Sequence, residues 1–283
     1  MTSIPIRCET GALSDDSMDG RMNHRLAGKR ILLIKQSSLG DIIHALPVAH
    51  ALKRYAPSCY IGWVVEAAFA PLVARDPSVD EVHPIHVPST SNPDSTRGAY
   101  FRAFSATLGV LVRLRASFRQ SPYDWVLDLH ASFRSGLFSL MNPGGVRVGF
   151  DDARELNTLF QHRLLNVEPK SSHAVDKNLL FCSFFECVAR EEDFYLVTDQ
   201  DDEEQAEAFL GISEIGPEQR YVYVNPGARW QSKYWIAQRW ATLCDRLEAN
   251  GVRIVFGGSP EDVAHIEIIT AAMRYEPTIA AGH

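Results

Sequence analysis

Arg30-Ile-Leu-Leu-Ile-Lys-Gln-Ser-Ser-Leu-Gly-Asp41 is the stretch on which the fold turns. Arg30 to Lys35 is an apolar run that reads as a buried first strand, and Ile42 to Tyr55 reads as the helix that follows. The turn between them holds two hydroxyls, a glycine and a carboxylate. An open α/β sheet binds its ligands just outside the carboxyl ends of its strands. Lys35 to Asp41 is therefore where chemistry is expected.

Outward from that turn the same alternation repeats. Cys59 to Val65 is a second strand, continuous in apolar character as parallel strands are. Ala67 to Arg75 suits a short helix, Val79 to Val87 a third strand, Ser89 to Arg97 a polar loop and Gly98 to Arg119 a long helix with apolar and basic faces. Asp124 to Leu129 is a fourth strand, Ser132 to Met141 a helix and Val146 to Phe150 a fifth strand. Residues 151–172 read as irregular and His173 to Arg190 as a bridging helix. The pattern restarts with a strand at Tyr221–Asn225, a helix at Ile236–Ala249 and a strand at Val252–Phe256. Asn250-Gly251 is a helix stop, because both residues tolerate the left-handed conformation. A helix at Glu261–Tyr275 and the start of a strand at Thr278 complete the chain. Strands alternating with helices predict an α/β protein with parallel, doubly wound sheets. Residues 1–28 read as a flexible tail, with Met22 as an alternative start, 29–190 as a first domain and 191–283 as a second, incomplete one.

Composition narrows the function. Hydrophobic residues make up 46% and charged residues 22% of the 283, ordinary for a globular protein with real cores. A net charge of −7 argues against general nucleic-acid binding, which needs a basic surface. The five cysteines show neither metal-ligand spacing nor a disulfide framework. No apolar run is long enough to span a bilayer, and the first residues lack a signal pattern. The single glycine in Lys35–Asp41 departs from the three-glycine dinucleotide fingerprint, so a nicotinamide-dependent enzyme fits poorly.

KQSSLGDIIHALPVAHALK (35–53), IGWVVEAAFAPLV (61–73) and PSVDEVHPI (77–85) together resemble the lipopolysaccharide heptosyltransferases of glycosyltransferase family 9. YDWVLDLHASFRSGLFS (123–139), RVGFDDARE (147–155), HAVDKNLLF (173–181) and NPGARWQSKYW (225–235) extend the resemblance in order, over roughly residues 30–283. SSLGDIIHALP is most similar to the heptosyltransferase I branch. The resemblance implies a GT-B fold, two Rossmann-like domains facing a cleft. It also implies an inverting enzyme that moves heptose from ADP-heptose to the Kdo-containing inner core, at the cytoplasmic face of the inner membrane. The family's Asp-Ser/Thr-Gly-x-x-His-x-Ala turn is absent, so the second domain is expected to be truncated and its donor binding impaired. A transferase for another nucleotide sugar, or a non-catalytic relative that only binds, is the alternative.

Each candidate residue has a bland reading as well as a functional one. From spacing alone, Asp41 serves equally as a helix cap or as the base that takes the acceptor hydroxyl's proton; the resemblance favours the base. Ser37 and Ser38 form either a satisfied turn or a polar cradle. Lys35 is a strand-end lysine or a contact to an anionic acceptor. Arg134, Arg147 and Arg154 cluster near strand ends, where arginine can fork onto the Kdo carboxylates. The basic helix at Arg113, Arg115 and Arg119 can face lipid headgroups. On the donor side, Lys233 with Arg229 is expected to steady the leaving diphosphate. The resemblance gives Lys233 that phosphate contact and Glu261 the ribose, beside the Gly227 and Gly257 turns. No cofactor or metal is expected, there being no DxD element. His44 and His50 lack ligand spacing.

Overall fold

The computed structural model describes residues 25–87, 97–168, 173–228 and 231–282. Arg229, residues 1–24 of the expected tail and most of the polar loop before Arg97 lie outside the described residues. The chain forms two compact units that divide between Val197 and Thr198.

The first unit is a six-stranded sheet: β1 (Arg30–Ile34), β2 (Tyr60–Glu66), β3 (Glu81–Ile85), β4 (Trp125–Asp128), β5 (Val146–Phe150) and β6 (Arg163–Leu165). Its order is β3-β2-β1-β4-β5-β6, and every pairing is parallel. β1 lies at the centre and is buried on both sides, as its unbroken apolar run requires. Ile31 and Leu33 join Val48, Leu52, Trp63 and Phe181 in one cluster. Leu32 and Ile34 join Val110, Leu114, Phe118 and Phe138 in the other. The first face is covered by α2 (Leu46–Tyr55) and α6 (Ala174–Phe184), the second by α4 (Arg97–Gln120) and α5 (Phe133–Ser139).

Several expectations are corrected. The single helix from Ile42 to Tyr55 is two, α1 (Leu39–Ile43) and α2, because Pro47 sits in the first turn of α2. Proline has no amide hydrogen for the preceding turn and its ring crowds that turn's carbonyl. The 67–75 helix likewise splits into a 3-10 turn and α3 (Ala70–Ala74), with Pro71 in its first turn. The span read as irregular contains β6, paired to β5 from Val148↔Arg163 to Phe150↔Leu165. The expected tail is ordered by its end. Leu26 is fully buried, and the Arg25 guanidinium lies 5.6 Å from the Phe184 ring. The segment after α6 also stays with this unit. Arg54 forks onto Asp193 at 2.9 and 2.7 Å, and His50 bridges Asp193 O and Asp76 Oδ2 at 2.7 and 2.6 Å. His50 is thus a buried structural residue.

The second unit begins with a helix that the sequence pattern does not announce, α7 (Gln200–Ile212), capped by Asp199 accepting from the Asp202 amide at 2.8 Å. A parallel sheet follows, β7 (Tyr221–Val224), β8 (Arg253–Phe256) and β9 (Thr278–Ile279) in sequence order. It carries α8 (Ala237–Glu248) and α9 (Val263–Thr270). Val224, Cys244, Ile254, Phe256, Ile266 and Ile269 form its core. The helix stop read at Asn250-Gly251 is present: Gly251 has φ +74°, and the Val252 amide turns back to Leu247 O at 3.1 Å.

Phe118 is fully buried between α4 and the sheet, edge-on to His83 and Tyr123. Phe118→Ala is expected to lower the stability of the first unit by about 3–5 kcal/mol, the transfer and cavity cost of a buried phenyl ring. A shift in the urea midpoint followed by tryptophan fluorescence measures it.

Candidate functional site

The strand order decides where the site lies. Chain connections leave β1 toward β2 on one side and reach β4 on the other, so the carboxyl ends of β1 and β4 border the crevice where an open sheet takes its ligand. Lys35 follows β1 and Leu129 follows β4, and the Lys35 ammonium donates to Leu129 O at 3.1 Å across that point. Burial lowers the Lys35 pKa, against the pull of Asp41 and Asp128 and with the help of Lys177.

Asp41 stands in the first turn of α1. Its Oδ2 accepts from the Ser38 amide at 3.0 Å and the Ser38 hydroxyl at 2.8 Å. Burial alone would raise its pKa. The two Ser38 hydrogen bonds, with Lys35 and His130, outweigh this and hold it below the usual carboxylate range. Asp41 is therefore ionised at neutral pH and half-buried. The cap and base readings are compatible, since the cap occupies one carboxylate oxygen. The second unit supplies a comparison: Asp262 Oδ2 accepts from the Ser259 amide and hydroxyl at 2.9 and 2.8 Å in the same arrangement. The cap alone therefore does not single out Asp41. Its surroundings, Lys35 and the His130 ring, do.

His130 was missed by sequence reasoning. The loop after β4 presents it to Lys35, Asp41 and Arg134, with a hydrogen bond to the Ser37 backbone. Its Nδ1 is buried without a partner among the described residues. Burial, then Lys35 and Arg134, push its pKa down to about 4 against Asp41 and the Ser37 bond, so the ring is neutral at neutral pH. Asp128 shapes the loop beneath. Oδ1 accepts from the His130 and Ala131 amides at 3.1 and 3.0 Å. Oδ2 accepts from Ser135 Oγ, Asn157 Nδ2 and Gln161 Nε2 at 2.8, 2.7 and 3.2 Å. Burial raises its pKa, with bonds from Asn157, Ala131, Ser135 and His130 opposing. The available signal was an aspartate closing an apolar strand and followed by a serine-rich turn.

The three acceptor-side arginines part company. Arg134 is half-buried on α5, among the charges that act on His130. Arg147 lies in β5 level with Val126, toward the amino ends of the strands. Its guanidinium donates to Phe160 O at 2.6 Å and contacts His162 Nε2 at 2.7 Å. It is occupied in holding the β5–β6 connection, and burial lowers its pKa. Arg154 is exposed in the loop after β5.

In the second unit, Val224 and Phe256 are paired at the carboxyl ends of β7 and β8, which brings the turns after them side by side. A Cβ on Gly227 would collide with the Asp262 carboxylate, and one on Gly257 with the Tyr223 hydroxyl. Both glycines are there for close approach. Glu261 is exposed on the second turn. Lys233 is exposed in the 3-10 turn Gln231–Lys233. The next residue, Tyr234, lies with its ring 4.3 Å from that of His265, which fixes the segment against α9.

Solved glycosyltransferase structures share this architecture. A glycosyl transferase of family 9 from Veillonella parvula superposes with a TM-score of 0.77 at 20% identity, over 91% of this chain and 70% of that one. The Escherichia coli heptosyltransferase WaaC, solved with ADP-2-deoxy-2-fluoro heptose, superposes with a TM-score of 0.64 at 24% identity, over 90% and 76%. The fold is thus α/β of the GT-B type, with a doubly wound first unit and a second unit whose described strands β7, β8 and β9 run in sequence order. Residues 111–283 match glycosyltransferase family 9 (heptosyltransferase), and the chain belongs to that family. The lipopolysaccharide core heptosyltransferase OpsX of Haemophilus influenzae is 24% identical over 260 residues, 90% of this chain and 68% of that protein. Lipopolysaccharide heptosyltransferase 1 of Salmonella typhimurium is 26% identical over 254 residues, 87% and 74%.

His130 gives a measurable pH dependence. Its folded pKa lies below the unfolded value of about 6.5, so the unfolded chain binds the extra proton as pH falls. Stability from the neutral ring is present above about pH 6.5 and is lost on the way to pH 4. Urea titrations are expected to show a loss of up to about 3 kcal/mol over that window, and His130→Gln is expected to flatten it. An unchanged slope in the variant would place the titrating group elsewhere.

Proposed function

We propose that this heptosyltransferase transfers heptose from ADP-heptose to a Kdo-containing, lipid-linked inner-core acceptor, with inversion at the anomeric carbon. The observation that carries the reading is the Asp41 carboxylate at the switch point, ionised, with one oxygen engaged by Ser38. In this scheme the acceptor hydroxyl attacks the anomeric carbon as Asp41 takes its proton. The bond to the ADP oxygen breaks on the opposite face through an oxocarbenium-like transition state. One base suffices because no covalent intermediate forms. Lys35 and Arg134 are the cations proposed to meet the acceptor's carboxylates, with exposed Arg154 at the periphery and Ser37 and Ser38 shaping the turn. Arg147 is left out of this role by its bonds to Phe160 and His162.

On the donor side, Lys233 with Arg229 is proposed to steady the charge that builds on the departing diphosphate, where a fixed cation favours the transition state over the ground state. Glu261 is assigned to the ribose, and the turns at Gly227 and Gly257, closed against Asp262 and Tyr223, are proposed to border the nucleotide. The ADP-2-deoxy-2-fluoro heptose bound to WaaC supports the choice of donor. No metal is assigned a part in this scheme. With a lipid-linked acceptor, the reaction is proposed to take place at the cytoplasmic face of the inner membrane.

Asp41→Asn keeps an oxygen for the Ser38 bonds but removes the base. It is expected to lower kcat by about 10²–10⁴-fold, while ADP-heptose binding by calorimetry is unchanged. Asp262→Asn, the equivalent change in the second unit, is expected to leave kcat intact. Full turnover by Asp41→Asn would remove this residue from the chemistry. Release of ADP from a panel of nucleotide sugars identifies the donor, and transfer is expected to persist in EDTA.

A further inference from the structure

We propose that the outer face of α4 (Arg97–Gln120) is the surface by which this chain lies on an anionic lipid bilayer. The inner side of the helix is spent on the core: Val110, Leu114 and Phe118 are buried against the sheet. On the outer side, Phe104, Leu108 and Val112 are 69%, 54% and 63% exposed. They are spaced four residues apart, and so form one line about 12 Å long on the helix surface. Isolated exposed apolar residues are ordinary, whereas a contiguous row of large ones marks a contact surface.

Charge identifies the partner. α4 contains Arg97, Arg102, Arg113, Arg115 and Arg119 and no aspartate or glutamate, in a chain whose net charge is −7. Arg102, Arg113 and Arg119 are exposed, while Arg115 donates to Met141 O at 3.1 Å. An apolar line flanked by arginines, with acidic residues excluded, matches a helix that lies in the plane of a membrane interface. Its apolar side chains enter the acyl boundary and its cations meet anionic headgroups. Two copies of this face meeting each other would set arginine against arginine. Among the described residues no helix is long and apolar enough to cross a membrane, and a contact in the interface plane does not require one. The inference rests on α4 itself. The proposed lipid-linked acceptor gives the contact a purpose, but the test involves no turnover.

The full chain is floated with phosphatidylcholine vesicles, with and without about one-third phosphatidylglycerol. Binding is expected to the anionic vesicles and to weaken with salt. Replacing Phe104, Leu108 and Val112 together by serine is expected to reduce the bound fraction on the order of tenfold. Arg113→Gln with Arg119→Gln is expected to do the same and to remove most of the salt dependence. Unaltered thermal unfolding of both variants establishes that the fold is intact. Failure of the native chain to bind anionic vesicles, or equal binding by the serine variant, overturns the proposal. So does a self-association that the serine variant abolishes in the absence of vesicle binding. A native chain that binds the vesicles but shows no transfer in a separate assay would count against the transferase scheme and leave this surface standing.

Discussion

The first unit depends on one constraint, that β1 must be paired in parallel on both sides. Parallel neighbours need a crossover that returns over the sheet. The connections from β1 to β2 and from β3 to β4 lie over opposite faces, with α2 on one and α4 on the other. At the carboxyl ends of β1 and β4 neither helix closes the sheet, and strand-end polar groups are left facing a gap. Lys35 bonded to Leu129 O spans that point, and Asp41, His130 and Arg134 gather around it. The charges meet there because the sheet is wound in two directions.

Within that frame the electrostatics are asymmetric. Asp41 and His130 are both held in the state that needs no proton, the carboxylate by the Ser38 donors and the imidazole by burial beside Lys35. Burial lowers the Lys35 pKa, and the carboxylates of Asp41 and Asp128 oppose that shift. A site arranged this way has proton acceptors ready and cations close at hand. Asp128, wholly buried with five donors, sets the geometry without facing the gap.

What was legible in the sequence followed from local rules. β1, β2 and β4 could be read because strands buried on both faces are continuous apolar runs. The turn at Lys35–Asp41 could be read because polar residues there have no structural need to be so varied. β6 escaped because three residues at a sheet edge, two of them exposed, carry no periodicity. The break before α2 has a local signal in Pro47, outweighed in the reading by the apolar run on either side. His130 could not be found this way, since its importance comes from a bond to Ser37 in a distant strand-end turn. Arg147 looked like its neighbours Arg134 and Arg154, and only the fold shows it bound to Phe160 and His162. Lys233 and Glu261 are placed on the expected turns. Their roles depend on a ligand, which sequence pattern alone does not describe.

The parallel order has a consequence for synthesis. The amide of Arg30 is satisfied by Asp124, 94 residues later, and β1 meets β4 only once that stretch has emerged. At a ribosomal rate of about 5–20 residues per second the wait is roughly 5–20 s. Throughout it, one edge of this apolar strand lacks its partner, the condition under which nascent chains adhere to one another. Lys29, Arg30 and Lys35 flank that strand with positive charge, as gatekeepers do. Lys35, which later faces the site, is thus among the residues that guard the chain while it is being made.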